Sequence, residues 1–171
     1  MGLFLVACLA PALAQAPGWV LYTHPDKLMS VRFPKEPTVT DQAMPTAVGT
    51  LNAKMASVIG KDRAYVAMAV VYPSGYAYDV KKALDASRDR ALASVKGKLI
   101  SEKSVKLDGF EGREIVFESN HTFLGVARNF FSAKPPRGYT VIAGHEIDKP
   151  DPDAEKFLDS LHLGKKVETK P

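Results

Sequence analysis

The sequence predicts an α+β fold: one antiparallel sheet with helices packed on its faces. Three observations predict it. Segments with strand periodicity and segments with helical spacing follow one another as ββ–ββ–α–ββββ–α. The links between several consecutive strands are short turns, which join antiparallel neighbours. The chain of 171 residues has one Cys, so no internal disulfide can staple it and a packed core must hold it together. Hydrophobic residues at 46% and charged residues at 25% are ordinary for a globular domain. Roughly 150 residues bury about two thirds of their unfolded surface, which is enough without staples.

The chain opens on sixteen residues without Lys, Arg, Asp or Glu. The apolar run Leu3–Ala10, followed by small residues, has the form of the hydrophobic and cleavage parts of a secretory signal. Cleavage after Ala16 would set Pro17 against the scissile bond, and its fixed φ fits a protease cleft poorly. Cleavage after Ala14 leaves Gln15 first and is preferred, so residues 1–14 are the expected signal peptide. Leu5-Val6-Ala7-Cys8 has the spelling of a bacterial lipobox. Only seven residues precede Cys8 and a basic segment is missing, so a lipid anchor there requires a start upstream of Met1. Either way the expectation is an exported protein, periplasmic or secreted, with membrane contact only through a lipid on Cys8. A single domain is expected over 15–164, with a polar tail at 165–171.

The elements follow in order. Trp19–Tyr22 is strand-like, and Met29–Phe33 alternates up to Pro34. Residues 34–46 hold three prolines and suggest an extended connection. From Val48 to Ile59 the odd positions Leu51, Ala53, Met55 and Ile59 are apolar, a long strand of period two. Ala64–Tyr72 is apolar on both parities, as a central strand covered on both faces is. After Pro73-Ser74-Gly75 the period changes. Asp79 is an N-cap, and Val80, Ala83, Leu84, Ser87, Ala91 and Val95 form one stripe of a helix of about five turns, with Gly97 at C′. Strands are predicted at Leu99–Leu107, Arg113–Glu118, Phe123–Phe131 and Tyr139–Ile147, with turns at Asn120-His121 and Pro135–Gly138. Asp151-Pro152-Asp153 starts a last helix with Ala154, Phe157, Leu158 and Leu161 on one face, stopped by Gly164.

Gly18-Trp19-Val20 leading into Met29-Ser30-Val31-Arg32-Phe33-Pro34 resembles the opening of PsbP-like domains, including bacterial DcrB-type and LpqN-type lipoproteins. Gly109-Phe110-Glu111-Gly112-Arg113-Glu114 looks like their central G-x-x-G-x-E strand entry, with Gly112 read as serving a tight turn. Asp153–Leu161 is similar to their closing helix, and the resemblance spans Trp19 to Leu163. It implies an αβα sandwich and non-enzymatic binding or assembly roles. Plant members of the family assist a photosystem, and a eukaryotic relative of the fold binds a small GTPase. No residues here match either partner site, so those roles do not carry over.

Catalytic patterns are sparse. His24, His121, His145 and His162 sit at no metal-ligand spacing, and no metal or cofactor is expected. Glu114 and Glu118 share a strand face but lie roughly 13 Å apart, too wide for a glycosidase pair. A G-x-S-x-G elbow, a G-x-G-x-x-G turn and a phosphate loop are all missing. Arg113 and Arg128 in apolar strands are expected to pair with Glu across strands. The net charge of +4 is spread as a basic stretch at 79–106 and an acidic one at 145–161, read as solvated helix faces. Nucleic-acid binding would need a denser stripe and is not expected. Tyr72, Tyr76 and Tyr78 put three of six tyrosines into seven residues. Two readings compete: Tyr72 and Tyr78 cover the ends of the core, or all three form a partner-binding surface with Tyr76 outermost beyond Gly75.

The expected function is an exported, non-catalytic binding or accessory module of the cell envelope, monomeric, holding an envelope protein or a small ligand. The alternative is a small envelope enzyme, favoured if Arg128, His145 and Glu114 line one pocket. Protein isolated from its source cell should start at Gln15, or at a lipidated Cys8. Intact mass decides this, and a retained Met1 would defeat the export reading.

Overall fold

Alternating side chains give a strand two faces, and tight turns bring such strands side by side. A computed structural model of the chain describes residues 18–164; the signal peptide at 1–14, Cys8 and the tail at 165–171 lie outside the described residues. The elements are β1 (Val20–Thr23), β2 (Met29–Phe33), β3 (Thr38–Thr46), β4 (Gly49–Ile59), β5 (Arg63–Val71), α1 (Val80–Ser94), β6 (Gly97–Leu107), β7 (Phe110–Ser119), β8 (Phe123–Ala133), β9 (Pro136–Glu146), α2 (Ala154–Asp159) and β10 (His162–Leu163). Seven strands form an antiparallel sheet in the order β3-β4-β5-β9-β8-β7-β6. Asp108 and Gly109 turn β6 into β7 with positive φ at both, and Asn120 and His121 do the same between β7 and β8.

The α+β class and the antiparallel pairing agree with the expectation, but the strands divide into two sheets rather than one. β1, β2 and β10 make a second, three-stranded antiparallel sheet. With α2 it covers one face of the large sheet, burying Met29, Val31 and Phe33 against Tyr65, Tyr139 and Val141. The Phe157 ring sits 5.1 Å from Phe33 and 5.2 Å from Tyr65, so one side chain of α2 joins both sheets. Helix α1 lies on the opposite face, where Ala91, Leu92 and Val95 pack on Ile115, Phe117 and Ala127.

Several sequence expectations need correction. The extended connection at 34–46 contains strand β3, which pairs with β4 along Thr38–Thr46. It was hard to see because an edge strand is mostly exposed and tolerates Pro45. In β4 the odd residues do not form one buried stripe. Ala53 is buried towards α1, then Ala56 and Val58 take over towards the small sheet, and Ile59 is 64% exposed. Helix α1 begins as predicted, with the Asp79 carboxylate accepting from the Lys82 N–H at 2.9 Å. It ends sooner, after fifteen residues. Lys96, not Gly97, takes the left-handed position (φ 49), and Gly97 opens β6. Gly112 is inside β7 rather than in a turn; a Cβ there would stand 2.4 Å from Phe130 Cδ1. The closing helix has six residues and Asp153 makes no side-chain cap. Leu161 is still buried, in the connection to β10.

Charged side chains tie the layers. Arg128 on β8 stands opposite Glu114 on β7 and binds it at 2.7 Å, with Glu155 at 2.8 Å and Asp159 at 2.7 Å from the α2 side. Arg113 binds Asp85 of α1 and Glu102 of β6. These are the expected cross-strand Glu pairs, extended to both helices. Burial pushes the Glu114 carboxyl up, but hydrogen bonds from Lys103 and Arg128 outweigh it and hold it below the usual range.

Phe157→Ala should cost about 3–5 kcal/mol, since the ring is fully buried. Lys156→Ala should cost only about 0.5–1 kcal/mol, because its ammonium sits 4.2 Å over the Trp19 ring at the surface. Urea melts compare them, and equal losses would contradict the packing of α2. A carboxyl held low stabilises the fold above its ordinary pKa and loses that contribution as pH falls. Glu114→Gln should therefore cost about 1–3 kcal/mol at neutral pH, and much less in acid, where the wild-type carboxyl is protonated too. Melts across an acid series read this out.

Candidate functional site

Helix α1 packs on β6, β7 and β8 through its Ala91–Leu92–Val95 side. On the same face, strands β3, β4, β5 and β9 extend past the helix. A groove of about 430 Å³ runs between them, within the ~300–1,000 Å³ range of small-molecule sites. Its wall on the helix is Ser87, Arg90, Ala91, Ser94 and Val95. Its floor comes from alternate residues of the strands, which point to one face.

The registers order that floor into rows. Met55 of β4 stands opposite Met68 of β5, Met68 opposite Thr140 of β9, and Thr140 opposite Asn129 of β8. The next row is Ser57 of β4, Val66, Ile142 and Ala127, apolar at β5, β9 and β8. Met44 of β3 closes the outer side with Pro45. One row thus becomes polar at β9 and β8, beneath α1, and its neighbour stays apolar there. Methionine suits such a floor, because its unbranched thioether adapts to irregular contacts.

The polar end is built with care. Asn129 is 1% exposed, and its Oδ1 accepts from the Ser87 hydroxyl at 3.1 Å and the Thr140 hydroxyl at 2.8 Å. Its Nδ2 is buried without a partner. Arg90 is the one charged residue of the groove lining. Among the described residues no carboxylate lies within 4.0 Å of its guanidinium. Of the six other arginines, Arg63, Arg88, Arg113, Arg128 and Arg137 are bound to acids and Arg32 on β2 is not.

The tyrosine segment adjoins the groove where Tyr72 and Phe131 close a narrow void beneath Ala83, Leu84 and Ser87. Tyr72 stacks edge-on against Tyr78 at 5.6 Å and Phe131 at 5.4 Å. Tyr78 donates its hydroxyl to the Pro73 carbonyl at 2.9 Å. Burial among these rings pushes its phenol up, with Tyr76 and Tyr72 adding to the effect. Tyr76 leans on Tyr78 at 6.2 Å yet remains 59% exposed. Tyr72 and Tyr78 therefore cover the end of the core while Tyr76 projects from it. Gly75, with φ 95, makes the turn that places it there.

The residues of the enzyme alternative are not assembled together. Arg128 and Glu114 bind each other, whereas His145 of β9 stands opposite Leu124, and its Nδ1 lies 2.7 Å from the Glu146 carbonyl oxygen. His121 is in the β7–β8 turn, 2.8 Å from Glu118. Among the described residues no three His, Cys, Asp or Glu side chains are grouped to hold a metal. Two acid sites, one buried and one half-buried, escaped the sequence reading. Asp151 accepts from the Tyr65 hydroxyl and binds Arg63 at 2.9 Å, which ties the loop before α2 to β5. Burial, and then the hydrogen bond to Asp151, push the Tyr65 phenol far up. Asp26 binds His24 at 2.8 Å and also Arg137 of β9. Burial would raise the Asp26 carboxyl, but the Leu28 N–H, His24 and Arg137 together hold it low. Burial pushes Tyr139 up to about 12. The groove went unread as well, because its residues come from five elements and only pairing aligns them.

No protein-family model matches the sequence, and no curated protein matches it. A solved structure does match: the solution structure of cyanobacterial PsbP (CyanoP) from Synechocystis sp. PCC 6803, with a TM-score of 0.58 and 11% sequence identity. The likeness covers 92% of this chain and 99% of that one. At that identity it speaks for architecture alone, and the architecture of this chain is PsbP-like α+β.

Proposed function

We propose that the chain is an exported, non-catalytic binding module of the cell envelope, contacting a partner protein through the tyrosine segment. The observation that carries this is Tyr76, a large ring 59% exposed on a base of Tyr78, Tyr72 and Phe131. A rigid aromatic base spares the partner the entropy of ordering a loop, and tyrosine is enriched where interfaces draw their energy. The uncharged start at residues 3–14 supports export. The likeness of Gly18–Pro34 and Gly109–Glu114 to DcrB-type and LpqN-type domains supports an envelope role. Arg128 and Glu114 are engaged with each other and with α2, so they lend the enzyme alternative no support.

Tyr76→Ala should weaken capture of the partner from native envelope extract by at least ~1 kcal/mol, with the melting point almost unchanged. Tyr72→Ala should lower the melting point instead, because its ring packs on Phe131 and Tyr78. Undiminished capture by folded Tyr76→Ala rejects the segment as the contact.

A further inference from the structure

We infer that the groove beside α1 binds a free single-chain carboxylate amphiphile, its chain over Met55, Met68, Val66 and Ile142 and its head at Arg90. This site goes beyond the partner surface proposed above and uses none of its exposed residues.

Shape comes first. A volume of about 430 Å³ between a helix and a sheet admits an extended chain. Val66 and Ile142 lie side by side on the floor, and the thioethers of Met44, Met55 and Met68 can close on a chain of variable length. Such a surface gains from any methylene it removes from water.

Charge then selects the head. The lining contains Arg90 and no acid, so an anion entering the groove meets attraction without a competing carboxylate. Arg90 follows Ser87 by three residues on α1, and both line the groove together with Thr140. A carboxylate can take two parallel N–H donors from one guanidinium, which gives the head a defined position.

The buried amide adds a third argument. As placed, Asn129 Oδ1 consumes both hydroxyl protons and strands Nδ2. Half a turn about the last side-chain bond exchanges the two atoms with almost no change of shape. Nδ2 would then donate to the Ser87 and Thr140 oxygens, and both hydroxyl protons would be released. An anionic head beside Arg90 would accept them. The buried donor thus finds two acceptors in the arrangement that favours the anion, and Oδ1 takes the position without a partner.

The test is calorimetric titration of the intact protein with octanoate, decanoate and dodecanoate below their micelle concentrations. Decanol and decyltrimethylammonium serve as the uncharged and cationic controls. One decanoate should bind per chain, with affinity rising about fourfold per added methylene until the groove is full. Decanol should bind about tenfold more weakly, and the cation should not bind. Arg90→Gln should weaken decanoate about tenfold and leave decanol unchanged. Ser94→Trp, at an exposed helix position on the groove wall, should abolish binding while the melting point holds. Tyr76→Ala should leave decanoate binding intact, which separates failure here from failure of the partner surface. Equal affinity for decanoate and decanol, or binding that survives Ser94→Trp, would overturn the inference. So would the absence of saturable heat with all three carboxylates. Capture on anionic lipid vesicles without any decanoate binding would also overturn it, by assigning the face to a lipid surface.

Discussion

One fifteen-residue helix has to cover one face of a seven-stranded sheet, and it is too small to do so. At ~1.5 Å per residue and ~10 Å across, α1 shields two or three strands. Seven strands spaced ~4.8 Å apart span nearly 30 Å. On the other face the same deficit is met by a second layer of three strands and α2, packed through Phe157 and Leu158. On the α1 face nothing comparable covers β3, β4 and β5 among the described residues. The position of the groove follows from this mismatch, and so do the side chains that line it. Val66 and Ile142 make a stiff apolar part of the floor, and Met44, Met55 and Met68 make a compliant one.

The charges answer a related mechanical need. Two sheets and two helices meet along interfaces too short to be held by apolar packing at their ends. Each junction carries an ion pair at or near its edge: Arg128 to α2, Arg113 to α1, Arg63 to the loop before α2, and Arg137 to the β1–β2 turn. Half-buried pairs of this kind set relative position more than they add stability, since desolvation offsets much of the attraction. Arg90 is at no such junction. It faces a space instead of an acid, and that difference from the five acid-bound arginines gives it meaning at the groove.

What the sequence made legible depended on whether a segment's neighbours lie within the same segment. Asp79 caps α1 because its partner is three residues away. Asn120 and His121 turn as expected because a turn is local. Exposure at Tyr76 followed from Gly75 and the lack of a claim on that position by strand or helix. Strand β3 was illegible because its order comes from pairing with β4, not from its own pattern. The change of buried parity along β4 was hidden because it records which layer lies above each half of the strand. Gly112 was misread for the same reason. Its constraint is the Phe130 ring on the next strand, and spacing within the motif carries no trace of that ring.

The row through Asn129 shows the same dependence at the scale of the site. A buried amide in an apolar sheet face costs free energy unless all its groups are paired, and one of them is not. Leucine or valine there would pack against Ala127 and Ile142 without that cost. Fold stability alone therefore does not account for the amide. Thr140 on β9 and Ser87 on α1 converge on it from different elements, so the polar spot is made by three elements at the point where the helix leaves the sheet uncovered. The place that packing cannot fill is also the place where polar groups are held ready.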